Sequence, residues 1–172
     1  MPSSQGPTNG VLSKPLVLLT GLVLAGSLTV IAAASLTPWT DVPYPDGYRR
    51  WVHVSSALAQ GTAQPGGLHH IYANAKALEG YRTREFPEGS ILVLDLFEAR
   101  TNGAFISAGA RRAVRVMRKD RRRFSETGGW GFEEFRGDSR TDRALDDGAR
   151  RACYACHRKQ ESEGLLFSTF RQ

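Results

Sequence analysis

Ile91-Leu92-Val93-Leu94-Asp95-Leu96-Phe97-Glu98 is the stretch whose reading decides the fold. A short, nearly unbroken apolar run of this length suits a strand buried on both faces rather than an edge strand. Turn residues bound it: Pro87-Glu88-Gly89-Ser90 before, and Thr101-Asn102-Gly103 after as a hairpin-like turn. Beyond that turn, residues 113–117 alternate as the next strand, with Val114 and Val116 facing opposite Arg115 and Met117. Gly128-Gly129 then introduces a strand over 130–135 that places Trp130, Phe132 and Glu134 on one face. On the N-terminal side, residues 68–73 have strand content, and Asn74 is placed to cap a helix over 75–82. Residues 48–54 are expected to open the folded part as a helix with Trp51 and Val54 inward, and 141–152 to form a polar helix. The fold class is therefore α+β: an antiparallel sheet of about four strands with flanking helices.

The second helix leads into Cys153-Tyr154-Ala155-Cys156-His157. Cys-x-x-Cys-His is the pattern that attaches a c-type haem: two thiols add to the two vinyl groups of one porphyrin, and the histidine ligates the iron. Cys153 and Cys156 are the only cysteines in the chain. A thioredoxin-like pair would want a βαβ setting, which the pattern lacks. A structural zinc site needs four ligands, and the other histidines, His53, His69 and His70, lie far away in sequence. The expected cofactor is haem c, covalently attached, one per chain, with His157 on the iron.

The chain of 172 residues fits one domain, with 41% hydrophobic and 23% charged residues arguing against wholesale disorder. Its net charge of +6 is concentrated at Arg111, Arg112, Arg115, Arg118, Lys119, Arg121, Arg122 and Arg123. Such a cluster reads first as a solvated strand end and loop. The functional alternative is a docking patch for an acidic redox partner protein or an anionic lipid surface. A covalent haem argues against nucleic acid as the partner, because c-type attachment takes place outside the cytoplasm. Residues 15–36 form an uncharged, mainly apolar run of about bilayer-spanning length. It is read either as a signal peptide cleaved after Ala32-Ala33-Ala34 or as a retained membrane anchor. Residues 1–14 are then a cytoplasmic stub, 37–47 a proline-rich linker, and 48–172 an exported domain on the periplasmic side.

Several pieces, in order, resemble the cytochrome P-460 family, which includes the cytochromes c′-beta. They are Tyr48-Arg49-Arg50-Trp51, Ile71-Tyr72-Ala73-Asn74, Phe86-Pro87-Glu88-Gly89-Ser90-Ile91-Leu92-Val93, Met117-Arg118-Lys119-Asp120, Gly129-Trp130-Gly131-Phe132, and the haem motif followed by Leu166-Phe167-Ser168. The resemblance implies a β-rich haem c domain, commonly a homodimer, with His157 as proximal ligand and an open sixth position. Members bind small gases such as NO and CO there, or oxidise hydroxylamine. In cytochrome P-460 proper a lysine on the strand after the Gly-Ser/Thr turn is cross-linked to the haem; the matching position here is Leu94. An isobutyl side chain cannot form that bond, which favours the c′-beta type with its apolar distal side.

If Leu94 faces the haem, the two-residue period brings Leu92 and Leu96 to the same face. His69 and His70 point to opposite faces of their strand, so one at most lines the pocket. By the family register that one is His69, either as a hydrogen-bond donor to a bound ligand or simply satisfied by backbone or solvent. Met117 is a candidate sixth ligand or core filler. Arg115 and Arg118 are candidates for the haem propionates or for the surface, and Glu133 and Glu134 for a proton relay or for water. Three functional readings stand open: an NO- or CO-binding haem protein, an oxidoreductase acting on hydroxylamine, NO or peroxide, and a six-coordinate electron carrier.

Overall fold

The computed structural model describes Ser3, Gly6 and residues 42–61 and 65–171. The apolar run 15–36, read as signal or anchor, lies outside the described residues, as does almost all of the stub before it. Among the described residues no helix is long and apolar enough to cross a membrane. The chain divides into two units, Met1–Ser35 and Leu36–Gln172, and the fold is that of the second.

Its body is one antiparallel sheet of five described strands, β1 (Val52–Ala59), β2 (Gly67–Ala73), β3 (Ile91–Asn102), β4 (Phe105–Lys119) and β5 (Trp130–Arg136). They lie side by side in chain order, so every strand pairs with its sequence neighbour. Helix α1 (Ala75–Thr83) follows β2, and α2 (Asp147–His157) follows β5. The expected α+β class and antiparallel sheet hold, and Ile91–Asn102 is the central strand. Val93 and Asp95 are buried on one of its faces, Leu92 and Leu96 on the other. Asn74 caps α1 as anticipated, its side chain accepting from the Ala77 amide at 2.9 Å.

Three expectations are corrected. Residues 48–54 are not a helix: a single turn over Tyr48–Arg50 is followed by β1, the fifth strand. β1 pairs with β2 from Val52 opposite Ala73 onward, with a register shift between His53 and Ser55, and Val54 is buried while Val52 is exposed. The helix over 141–152 starts later and runs further, through the cysteine motif itself. Asp146 is the true cap, accepting from the Ala149 amide at 2.7 Å, while Arg143 upstream bridges to Phe135 of β5. Finally, residues 42–47 of the stretch read as a linker pack onto the domain. Val42 is 1% exposed, and the Tyr44 ring meets Phe135 edge-on at 5.1 Å.

The sheet separates two cores. One, under the helices, joins Leu92, Met117, Trp130 and Phe132 to Ala77, Tyr81, Phe86, Leu165 and Leu166, with Cys153 and Tyr154 packed against it. The other, under the N-terminal segment, joins Val93, Val114, Val116 and Phe135 to Val42, Tyr48 and Phe124. The terminal apolar run over 165–170 thus closes the helix side. The basic cluster is no uniform patch: Arg111 pairs with Asp95, Arg115 with Glu134 and Arg121 with Glu88. Lys119 is buried, with its ammonium 5.1 Å from the Trp130 ring centre and 2.7 Å from the Gly128 carbonyl.

Candidate functional site

Helix α2 presents Arg150, Cys153, Tyr154 and His157 at spacings of three and four, which is one helical face. That face is pinned to β5. Arg150, 3% exposed, donates to Glu133 Oε2 at 2.8 Å, and Arg143 reaches the same oxygen at 2.7 Å. Glu133 is itself 2% exposed, so the expectation that it faces water is overturned. A buried carboxylate needs such partners to be tolerated at all. The consequence is that the motif's helix has one defined seat on the sheet edge.

Cys153 is half-buried and Cys156 exposed, and neither is in a disulfide. Burial pushes the Cys153 thiol up from its ordinary value, against a smaller opposite pull from Arg115. His157 Nδ1 lies 2.7 Å from the Leu165 carbonyl. A carbonyl can only accept, so Nδ1 carries the proton and the lone pair is left on Nε2. Burial pulls the His157 pKa below its ordinary value, with the Leu165 carbonyl opposing and the Arg115 charge adding to the fall. The imidazole is therefore neutral at pH 7, which is the ligating form. Two phenylalanine rings flank it, Phe132 at 5.3 Å and Phe167 at 5.1 Å. Phe167 is nonetheless 57% exposed, an apolar surface beside the histidine that a flat apolar group would cover. Two free thiols one turn apart, a histidine with a directed lone pair and this apolar flank together fit a covalently held haem.

Leu94 lies on the same face of the sheet as the helices, in a cross-strand row with Ile71, Arg115 and Glu134. It is half-buried, flanked by Leu92 and Leu96 along β3. The row is not purely apolar: Arg115 Nε stands 2.6 Å from Glu134 Oε2, at an angle that leaves its N–H without a hydrogen bond. Glu134, with its side chain 19% exposed, does not simply face water. His69 also belongs to this face, opposite Leu96, but its Nε2 donates to the Pro65 carbonyl at 2.7 Å. His70 is on the other face, linked through the Ser56 hydroxyl to His53. Met117 sits between Leu92 and Phe132 as core, 9% exposed. Lys76 is on α1, with its ammonium 3.1 Å from the Glu88 carbonyl.

The structure thus brings Cys153, Cys156 and His157 together on α2, with Leu94 and His69 on the face that this helix covers. Sequence reading missed the Leu165 carbonyl, the Arg150–Glu133 clamp and the Arg115–Glu134 pair. Only the first left a trace, the Gly164 that stops the turn after α2. No group of three or more His, Cys, Asp or Glu suited to a metal ion occurs among the described residues. The family model described as Cytochrome P460 matches residues 45–168. No curated protein matches the chain.

Proposed function

From the premise that this chain belongs to the cytochrome P460 family, and is therefore a haem-binding cytochrome, we propose that it captures or senses a small neutral gas such as NO or CO. In this reading Cys153 and Cys156 hold one haem c per chain and His157 ligates its iron. When bound, the haem supplies an iron with one position left for the gas. The observation that carries the reading is the His157 hydrogen bond to the Leu165 carbonyl, which leaves Nε2 as the ligating atom. Leu94, half-buried between the buried Leu92 and Leu96, offers an apolar side chain that suits an uncharged ligand and disfavours a desolvated anion. Met117 is enclosed in core and is not poised as a competing iron ligand, while His69 donates from Nε2 to the Pro65 carbonyl. In the same reading the domain lies on the periplasmic side, tethered or released according to the fate of residues 15–36. A homodimer and a redox partner protein belong to the same proposal.

One observation favours a second reading, an oxidoreductase of hydroxylamine, NO or peroxide. The Arg115–Glu134 pair puts a carboxylate in the row that contains Leu94, where it could accept a proton. Absorption spectra of the purified, haem-loaded protein, ferric and then dithionite-reduced, test the proposal. A five-coordinate, high-spin spectrum that changes on adding NO or CO is expected. A low-spin spectrum from an endogenous sixth ligand would sink the gas-binding account. A strongly red-shifted reduced Soret band would reveal a haem cross-link, moving the protein to the oxidoreductase class.

A further inference from the structure

Directly after α2 the chain makes a turn over Arg158–Glu163 and then places two successive residues in the left-handed region, Gly164 at φ 67° and Leu165 at φ 72°. Gly164 alone explains a helix end, since one left-handed residue completes such a cap. A second, carried by a leucine, is not required for capping and is uncommon for a residue with a branched side chain. A backbone held in such a region persists only where its surroundings over-determine it.

The surroundings do so here. The Leu165 amide donates to the Gln160 carbonyl at 2.8 Å, and Leu165 and Leu166 are both sunk in the helix-side core. Gly164 has no room for a side chain: a Cβ there would stand 2.7 Å from Phe86 Cε2 and 2.8 Å from the Arg84 carbonyl oxygen. Phe86 cannot yield easily, because it is packed against Gly80 of α1 and lies between the Tyr81 and Trp130 rings, each at 5.5 Å. Arg84 and Glu163 tie the two segments together from outside at 3.0 Å. The end of α1 is therefore a template for the turn, and the turn's product is one carbonyl, that of Leu165, aimed at His157 Nδ1.

We propose that the Gly164–Leu165 turn, templated by Phe86, is a positioning device that fixes the His157 hydrogen bond and thereby sets the electron-donor strength of Nε2 and the reduction potential of the iron. The proposal rests on the haem c reading given above. A hydrogen bond donated by the remote imidazole nitrogen raises the basicity of the ligating one. A more basic ligand favours ferric iron and strengthens the iron–nitrogen bond. Gly164 and Phe86 act through His157 and touch neither iron nor gas.

The test compares haem-loaded wild type with Gly164→Ala. In the ferrous form, Gly164→Ala is expected to lower the iron–histidine stretching frequency and raise the midpoint potential. A folded Gly164→Ala protein with unchanged frequency and potential would overturn the proposal. Should that variant not fold, wild type alone decides. In the diamagnetic carbonyl-bound ferrous form the His157 Nδ1 proton must exchange slowly with solvent, and fast exchange overturns the proposal. Haem that leaves wild type on acid-acetone extraction would instead sink the parent reading of covalent attachment, so the two failures are distinguishable.

Discussion

The two faces of the sheet bury charge in opposite ways. Under the N-terminal segment, Asp95 is wholly buried and fully engaged: Tyr48 donates to it at 2.7 Å, Arg49 at 3.0 Å and Arg111 at 2.7 Å. Both arginines also lie over the Phe97 ring, and Arg111 continues to Asp138. Both oxygens of that carboxylate have a donor. On the helix face, by contrast, Cys153, Leu94 and Arg115 are half-buried and the Arg115 Nε–H is unsatisfied. A closed, saturated network specifies one arrangement of a core. A half-covered row with free thiols and an unsatisfied donor belongs to a surface shaped for something else. The difference separates the structural side of this protein from its proposed working side.

The comparison is broken most directly at the motif. Replacing Cys153 and Cys156 together by Ser is expected to abolish covalent haem, read as complete loss of haem staining on a denaturing gel. Retention of haem there would mean the helix face is not the working one. On the other face, Asp95→Ala leaves Arg111 and Tyr48 without their acceptor. Its expected cost is about 3–5 kcal/mol, as for removal of one partner of a buried ion pair. Urea denaturation measures it, and the reduced absorption spectrum of the folded fraction should match wild type. A shifted spectrum would show that the faces are coupled.

Alkaline pH sharpens the contrast, since each face holds one protected tyrosine. Burial raises Tyr81 from 10.0 to about 12. Burial and the neighbouring Asp95 carboxylate raise Tyr48 as well, Arg49 opposing. A raised folded value means that both groups favour the folded state fully below pH 10.0, and that this share is lost as pH rises through the folded values. Melting temperature should therefore fall from pH 10.0 toward about 12, and Tyr81→Phe should make the fall shallower. An unchanged slope would remove Tyr81 from the account. The smallest effect is expected from His69→Ala, which loses one hydrogen bond to backbone, about 1 kcal/mol of stability. CO affinity should stay at the wild-type value; a large change would place His69 at the ligand.

Much of this was legible before any coordinates. The run from Ile91 to Glu98 had to be a central strand, because its apolar residues occupy both parities of the pleat. Asn74 was readable as a cap because capping is a local hydrogen bond. The helical reading of 48–54 failed because Trp51 and Val54 are three apart, a spacing that suits a helix turn, while the deciding contact, pairing with β2, lies about twenty residues on. Helix α2 was misplaced because residues 141–146 hold no proline or glycine to forbid a helix, while the Arg143 bridge to Phe135 of β5 excludes the earlier start. The fates of Glu133 and Glu134, one clamped by two arginines and one paired to Arg115, depend on which face of β5 each occupies and what packs there.

The sequence by itself determined the chemistry of the motif, since the spacing of Cys153, Cys156 and His157 is local and their reactivity belongs to the residue types. It also determined the central strand and the antiparallel order, because each strand pairs with its chain neighbour. Only the tertiary structure decided which His157 nitrogen keeps its lone pair. That choice is made by a carbonyl eight residues away, in a turn whose shape is set by Phe86 and the end of a helix far upstream. Composition carries no record of such an arrangement. Backbone atoms are the same at every position, and only folding decides where each of them points.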